Sequence, residues 1–85
     1  MAQVILYTKE NCPYCRMAKE LLTEYHAAFQ EIRVDLDSNK LSEMIERSNR
    51  RTVPQIFIND QSIGGYDDLA ELAKSGKLKA LLNQQ

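Results

Sequence analysis

The chain has 85 residues, with 11 basic against 12 acidic side chains, a formal charge of -1 at pH 7, and 44% hydrophobic content. This length allows one small domain, and the composition excludes a disordered chain. The charge balance excludes a strongly basic nucleic-acid binder and a polybasic membrane anchor.

Val4-Ile5-Leu6-Tyr7-Thr8 is a continuous apolar and β-branched run, which predicts a strand buried on both faces. It is too short to span a membrane and no basic segment precedes it, so a soluble chain without a signal peptide is expected. From Pro13 to about His26 the period becomes helical. Cys15, Ala18, Leu22 and Tyr25 share one stripe, opposite Arg16, Lys19, Glu20, Thr23 and Glu24. Pro13 suits the first helical position, which places Cys12 at the N-cap and Cys15 at N3.

Ile32, Val34 and Leu36 alternate with Arg33 and Asp35 and predict a second strand. Asp37-Ser38-Asn39 has helix-capping chemistry, and Leu41, Met44, Ile45 and Ser48 predict a helix to about Asn49. Val53-Pro54 precedes the strand Gln55 to Ile58. Asn59-Asp60 then reads as a two-residue hairpin turn into Gln61-Ser62-Ile63, which ends at Gly64-Gly65. Asp67 and Asp68 open a third helix, with Asp68 and Glu71 at capping-box spacing. Ser75-Gly76 stops it, and Leu78, Leu81 and Leu82 predict a last short helical turn or two. The order is βαβαββα, an α/β arrangement with helices on the faces of a sheet.

The cysteines are Cys12 and Cys15 alone. A bridge between them closes too short a loop to staple the fold, so the pair is expected to act chemically in a reducing compartment. The unpaired N–H groups and the dipole at a helix start favour thiolate over thiol at Cys12. Lys9, just before the loop, adds positive charge. Cys15, one turn on, is placed to meet Cys12. Cys12 is therefore the attacking thiolate and Cys15 the resolving thiol. A zinc site needs more ligands, and His26 lies about three turns away, so no metal is expected.

Cys12-Pro13-Tyr14-Cys15 after a strand, Thr52-Val53-Pro54 before a strand and Gly64-Gly65-Tyr66-Asp67-Asp68 before a helix together resemble the three signatures of dithiol glutaredoxins, in particular the small bacterial glutaredoxin 3 type. The similarity covers nearly the whole chain. It implies a thioredoxin-like fold in one glutaredoxin domain over 1–85, with a central mixed four-stranded sheet and helices on both faces. It also implies a cis Val53-Pro54 peptide beside the site.

The implied activity is glutathione-dependent reduction of protein disulfides and glutathione mixed disulfides, with glutathione as co-substrate and no tightly bound cofactor. Lys9 matches the position for the glycine carboxylate of glutathione, with Arg50 or Arg51 as an additional cation. Thr52, Val53 and Pro54 would line its central cysteine, and Tyr14 would flank the thiolate. Gly65, Tyr66, Asp67 and Asp68 would receive the γ-glutamyl end. Asp67 and Asp68 serve equally as helix caps, His26 has no assigned role, and Tyr7 and Tyr25 read as packing residues with wet hydroxyls. Tyr66 stands where some members carry a further cysteine. Implied partners are glutathione and disulfide-containing or glutathionylated proteins, ribonucleotide reductase among the candidates, met by a cytoplasmic monomer. Two other readings compete. One is a redoxin reduced directly by a flavoprotein reductase. The other is a dimeric iron–sulfur cluster carrier. Lys9, Gly64-Gly65 and Asp67-Asp68 favour glutathione over a reductase as the donor.

Overall fold

The computed structural model describes residues 2–84. Its elements run β1 (Val4–Thr8), α1 (Pro13–Glu24), β2 (Gln30–Arg33), α2 (Ser38–Ser48), β3 (Gln55–Ile58), β4 (Gln61–Gly64), α3 (Tyr66–Lys74) and α4 (Lys77–Leu82). The predicted order βαβαββα is present, and α4 follows it as a separate short helix.

β1 is apolar on both faces and accordingly lies inside the sheet. It pairs parallel with β2 and antiparallel with β3, and β4 lies antiparallel outside β3, so the order is β2-β1-β3-β4. The parallel pair needs a crossover, which α1 supplies. On one face, Ala18 and Leu22 of α1, Leu69 of α3 and Leu78 of α4 pack with Val4, Leu6, Ile56 and Ile58. On the other, Met44 of α2 packs with Tyr7, Val34 and Phe57. These layers place helices on both faces of a mixed sheet, the thioredoxin-like α/β fold.

Local chemistry explains the turns. Asn59 and Asp60 both have positive φ, 51° and 66°, as the tight hairpin requires. Asp37 caps α2 by accepting from the Asn39 N–H at 2.9 Å. Asn49 closes that helix in the left-handed conformation.

Three expectations change. The alternation through Leu36 predicted a strand over 32–36, but β2 is Gln30–Arg33 and residues 34–36 turn out of the sheet. Val34 stays buried, with its N–H on the Thr8 carbonyl at 2.9 Å, whereas Leu36 is 74% exposed. The cause is the Asp35 carboxylate, which accepts from Arg33 Nε at 2.7 Å and from the Glu10 N–H at 3.2 Å. That bend delivers Asp37 to the start of α2. At the end of α1, the helix stops at Glu24 and His26 takes a left-handed φ of 56°. Finally, Tyr7 has no wet hydroxyl. It is fully buried, donates to Glu43 Oε2 at 2.6 Å, and accepts from Arg47 Nη1 at 2.8 Å. Arg47 also covers the Phe57 ring, 4.2 Å from its centroid.

Leu6 is fully buried between the helical layer and the sheet. Leu6→Ala is expected to lose about 2–5 kcal/mol of stability by urea unfolding, because it removes buried contacts and leaves a cavity. The carboxyls of Glu43 and Asp35 lie below the usual range, held first by the Tyr7 hydroxyl and by Arg33 respectively. Groups lowered by folding contribute stability that is complete above the unfolded value and lost as pH falls through the folded one. The melting temperature is therefore expected to be flat above about pH 5 and to drop below about pH 4, which a thermal-melt series checks.

Candidate active site

The site begins where β1 ends. Thr8 is buried, Lys9 is exposed, and Asn11 turns the chain with a φ of 56°, a conformation asparagine tolerates. Cys12 is then extended (φ -118°, ψ 102°) and Pro13 is the first helical residue, as the sequence predicted. The Cys15 N–H donates to Cys12 Sγ at 3.2 Å, so the sulfur occupies the N-cap acceptor position. The first turn of α1 carries no acidic residue to oppose negative charge there.

Both cysteines are free, but they are not equivalent. Cys12 is half-buried and Cys15 is buried. Burial, then the hydrogen bond with Cys12, pushes the Cys15 thiol up to about 12, against the Lys9 backbone N–H and the Lys19 charge. One sulfur is therefore reachable and hydrogen-bonded as an anion would be, while its neighbour is held as a thiol.

A cleft of about 280 Å³ beside them is lined by Tyr14, Arg50, Thr52, Val53, Pro54, Gly65, Tyr66, Asp67 and Asp68. Eight of the nine predicted ligand-contact residues thus share one cleft, and only Lys9 lies outside it. Lys9 lines an adjoining cleft of about 420 Å³ with Arg51, Leu41 and Val34, and Thr52 and Val53 form the wall common to both. The two arginines left open by the sequence are therefore separated, Arg50 into the first cleft and Arg51 into the second.

Several contacts hold these walls. The Val53-Pro54 peptide is cis, as the resemblance implied. Gln55, 1% exposed, donates from Nε2 to the Thr52 carbonyl at 3.0 Å and lies 3.4 Å from the Thr52 hydroxyl. Across the cleft, Asp68 Oδ2 accepts from the Gly65 N–H at 2.9 Å and from Arg50 Nη1 at 3.0 Å. Those two contacts, the backbone one first, hold its carboxyl below the usual range. Tyr14 and Tyr66 face each other with ring centroids 6.1 Å apart.

The capping box at the start of α3 does not pair Asp68 with Glu71. Gly65 is the N-cap of α3, and Asp68 sits at N3 reaching back to it. The chain enters one turn earlier because Gly64 adopts a φ of 115°, and a Cβ on Gly64 would collide with the Asp68 carboxylate. Asp67 is exposed at the cleft, and no ion pair among the described residues engages it.

Sequence reasoning missed the Gln55 clamp and the Arg50–Asp68 bridge. Gln55 read only as a strand residue, and the bridge joins residues 18 apart, for which no local pattern exists.

A dithiol opening a helix, one sulfur half-buried and the other buried, next to a cis-proline wall on a β2-β1-β3-β4 sheet, defines a thioredoxin-fold dithiol oxidoreductase. Comparison narrows the class. The glutaredoxin family model matches residues 4–63. Glutaredoxin 3 of Escherichia coli (strain K12) is 55% identical over 82 residues, covering 96% of this chain and 99% of that one. The solution structure of glutaredoxin from Brucella melitensis superposes with a TM-score of 0.85 at 49% identity, covering 96% of this chain and 89% of that one. The buckwheat glutaredoxin–glutathione complex superposes with a TM-score of 0.85 at 32% identity, covering 93% of this chain and 74% of that one. The chain belongs to the glutaredoxin family, and at the level of that family it is a glutathione-dependent thiol–disulfide oxidoreductase.

The burial difference between the sulfurs sets an expected labelling pattern. Iodoacetamide on the reduced native protein at pH 7 to 8 is expected to modify Cys12 and leave Cys15 unmodified, read by peptide mass mapping. Equal labelling of both cysteines in the folded protein would contradict this asymmetry.

Proposed function

We propose that residues 1–85 act as one glutaredoxin domain in which Cys12 attacks and Cys15 resolves. The observation that carries this reading is the half-buried Cys12 sulfur held by the Cys15 N–H at a helix start, with Cys15 itself buried. Cys12 thiolate attacks a disulfide sulfur of the substrate and the other sulfur leaves as a thiolate. Cys15 then forms the Cys12–Cys15 disulfide and releases the bound half. Two glutathione molecules reduce that disulfide in two exchanges and leave as glutathione disulfide. Glutathionylated substrates need Cys12 alone, because a second glutathione can clear the mixed disulfide.

Glutathione carries two carboxylates and one ammonium group, and the walls offer matching charges. Asp67 takes the ammonium, because Asp68 is already engaged by Gly65 and Arg50. The first-turn N–H groups of α3 receive the γ-glutamyl carboxylate. The Thr52-Val53 backbone runs along the central cysteine beside Pro54, and Tyr14 and Tyr66 close over it. Lys9 and Arg51, in the adjoining cleft, take the glycine carboxylate. An acidic site in one cleft and a basic site in the adjoining one favour glutathione over a flavoprotein as the electron donor. Among the described residues no helix is long and apolar enough to cross a membrane. A reducing, cytoplasmic setting and a monomer are part of the proposal, with disulfide-containing or glutathionylated proteins, ribonucleotide reductase among them, as partners.

Cys12→Ser is expected to abolish turnover with every disulfide substrate. Cys15→Ser should retain turnover of glutathione mixed disulfides, lose reduction of protein disulfides, and accumulate one glutathione on Cys12 by intact mass. Asp67→Asn should raise the KM for a glutathionylated peptide about three- to ten-fold with kcat little changed, since it removes one charge-assisted contact. Full activity in the Cys12 variant would overturn the assignment.

A further inference from the structure

A polar network behind the cysteines is not used by the exchange chemistry above. Glu31 Oε2, on β2, accepts from the buried Thr8 hydroxyl at 2.7 Å and from Lys19 Nζ at 2.9 Å. The periodicity set Lys19 on the polar stripe opposite Cys15, but it lies four residues after Cys15 on α1, one turn on, and the two side chains reach the same side of the helix. Both cysteines, Lys19 and Glu31 line one cleft of about 220 Å³. The charged groups facing Cys15 there are Lys9 and Glu10 from the loop, Arg16 and Lys19 from α1, and Glu31 and Arg33 from β2. Arg33 is engaged by Asp35, with Nη2 at 2.5 Å, and lies 3.9 Å from Glu10. Glu31 is held below the usual carboxyl range, first by Thr8 and then by Lys19, so it is an anionic tether and not a proton acceptor.

We propose that Lys19, tethered by Glu31 and Thr8, is a positioning residue for the resolving thiol: it assists Cys15 when Cys15 attacks the mixed disulfide on Cys12, and it plays no part in loading Cys12. This rests on the reading of Cys12 as attacking thiolate. In the assisted step the Cys15 S–H bond breaks and its proton passes to solvent in the cleft. The Cys15–Cys12 bond forms, the bond from Cys12 to the substrate sulfur breaks, and the departing thiolate takes a proton. Cys15 is oxidised and the substrate sulfur is reduced, so no further reductant enters.

The two cysteines have different needs. Cys12 Sγ already accepts an N–H of the helix start, whereas Cys15 is 2% exposed and must become an anion in a site that disfavours one. A cation one turn along the helix offsets that cost where it is greatest. Lys19 acts only through this field, because its ammonium is fixed on Glu31.

The test separates the two steps by acid quench and intact mass. Loading is the rate at which glutathione disulfide places glutathione on Cys12 in a Cys15→Ser background. Closure is the rate at which the loaded dithiol protein forms its Cys12–Cys15 disulfide. Lys19→Met is expected to slow closure about three- to ten-fold at pH 7 and to move its pH–rate profile to higher pH, while Lys19→Arg restores most of the rate. Loading should change by less than about two-fold, the size expected for a screened surface charge. The Lys19 side chain is 37% exposed, so these substitutions leave the core intact. Normal loading with closure that ignores Lys19 overturns the proposal alone, as does equal slowing of both steps. Absence of glutathione on Cys12 in every variant overturns the underlying assignment and the proposal together.

Discussion

The Cys15 N–H donated to Cys12 Sγ at 3.2 Å is the contact on which the rest of the site depends. It exists because three adjacent residues each adopt the backbone the junction needs. Asn11 turns left-handed, Cys12 is extended, and Pro13 begins the helix without an N–H to satisfy. The junction fixes the sulfur at a helix start and simultaneously directs Cys15 into the core. One sulfur is thereby open to exchange, and the other is kept as a thiol until a mixed disulfide forms beside it.

The sheet turns this junction into a groove. β1 delivers the cysteines and β3 starts beside them in antiparallel register, so the Thr52-Val53-Pro54 segment before β3 reaches the helix start of α1. The opposite wall comes from α3, whose start is tied by Asp68 to both the Gly65 N–H and Arg50. Gln55 fastens Thr52 from beneath. These ties keep the two loops in place. Polar contacts of this kind fix geometry more than they stabilise the fold, since exposed ion pairs contribute little.

Much of this was legible in the chain because the signals are local. The apolar run Val4 to Thr8, the Cys12-Pro13 helix start, the Asn59-Asp60 turn and the Asp37 cap each follow from residues within a few positions. Where local pattern failed, a contact across the fold had intervened. Leu36 continued a period-2 alternation, yet the Asp35 contacts with Arg33 and Glu10 turned it to solvent. Asp68 and Glu71 had capping spacing, yet the left-handed Gly64 started the helix earlier and gave Asp68 a different partner. Tyr7 read as an ordinary packing tyrosine, and its hydroxyl partners lie on α2, 36 and 40 residues away.

By itself the sequence determined the element order, the helix-start position of the dithiol and the family to which the three motifs point. All of these rest on short-range backbone preference and on spacing along the chain. Only the tertiary structure decided that Arg50 and Arg51 enter different clefts, that Asp68 is committed and Asp67 exposed, and that Lys19 faces the same cleft as Cys15. Those assignments depend on which side chains meet after β1, β3 and α3 have packed. A hydrogen bond between residues far apart in the chain leaves no periodicity for the sequence to display.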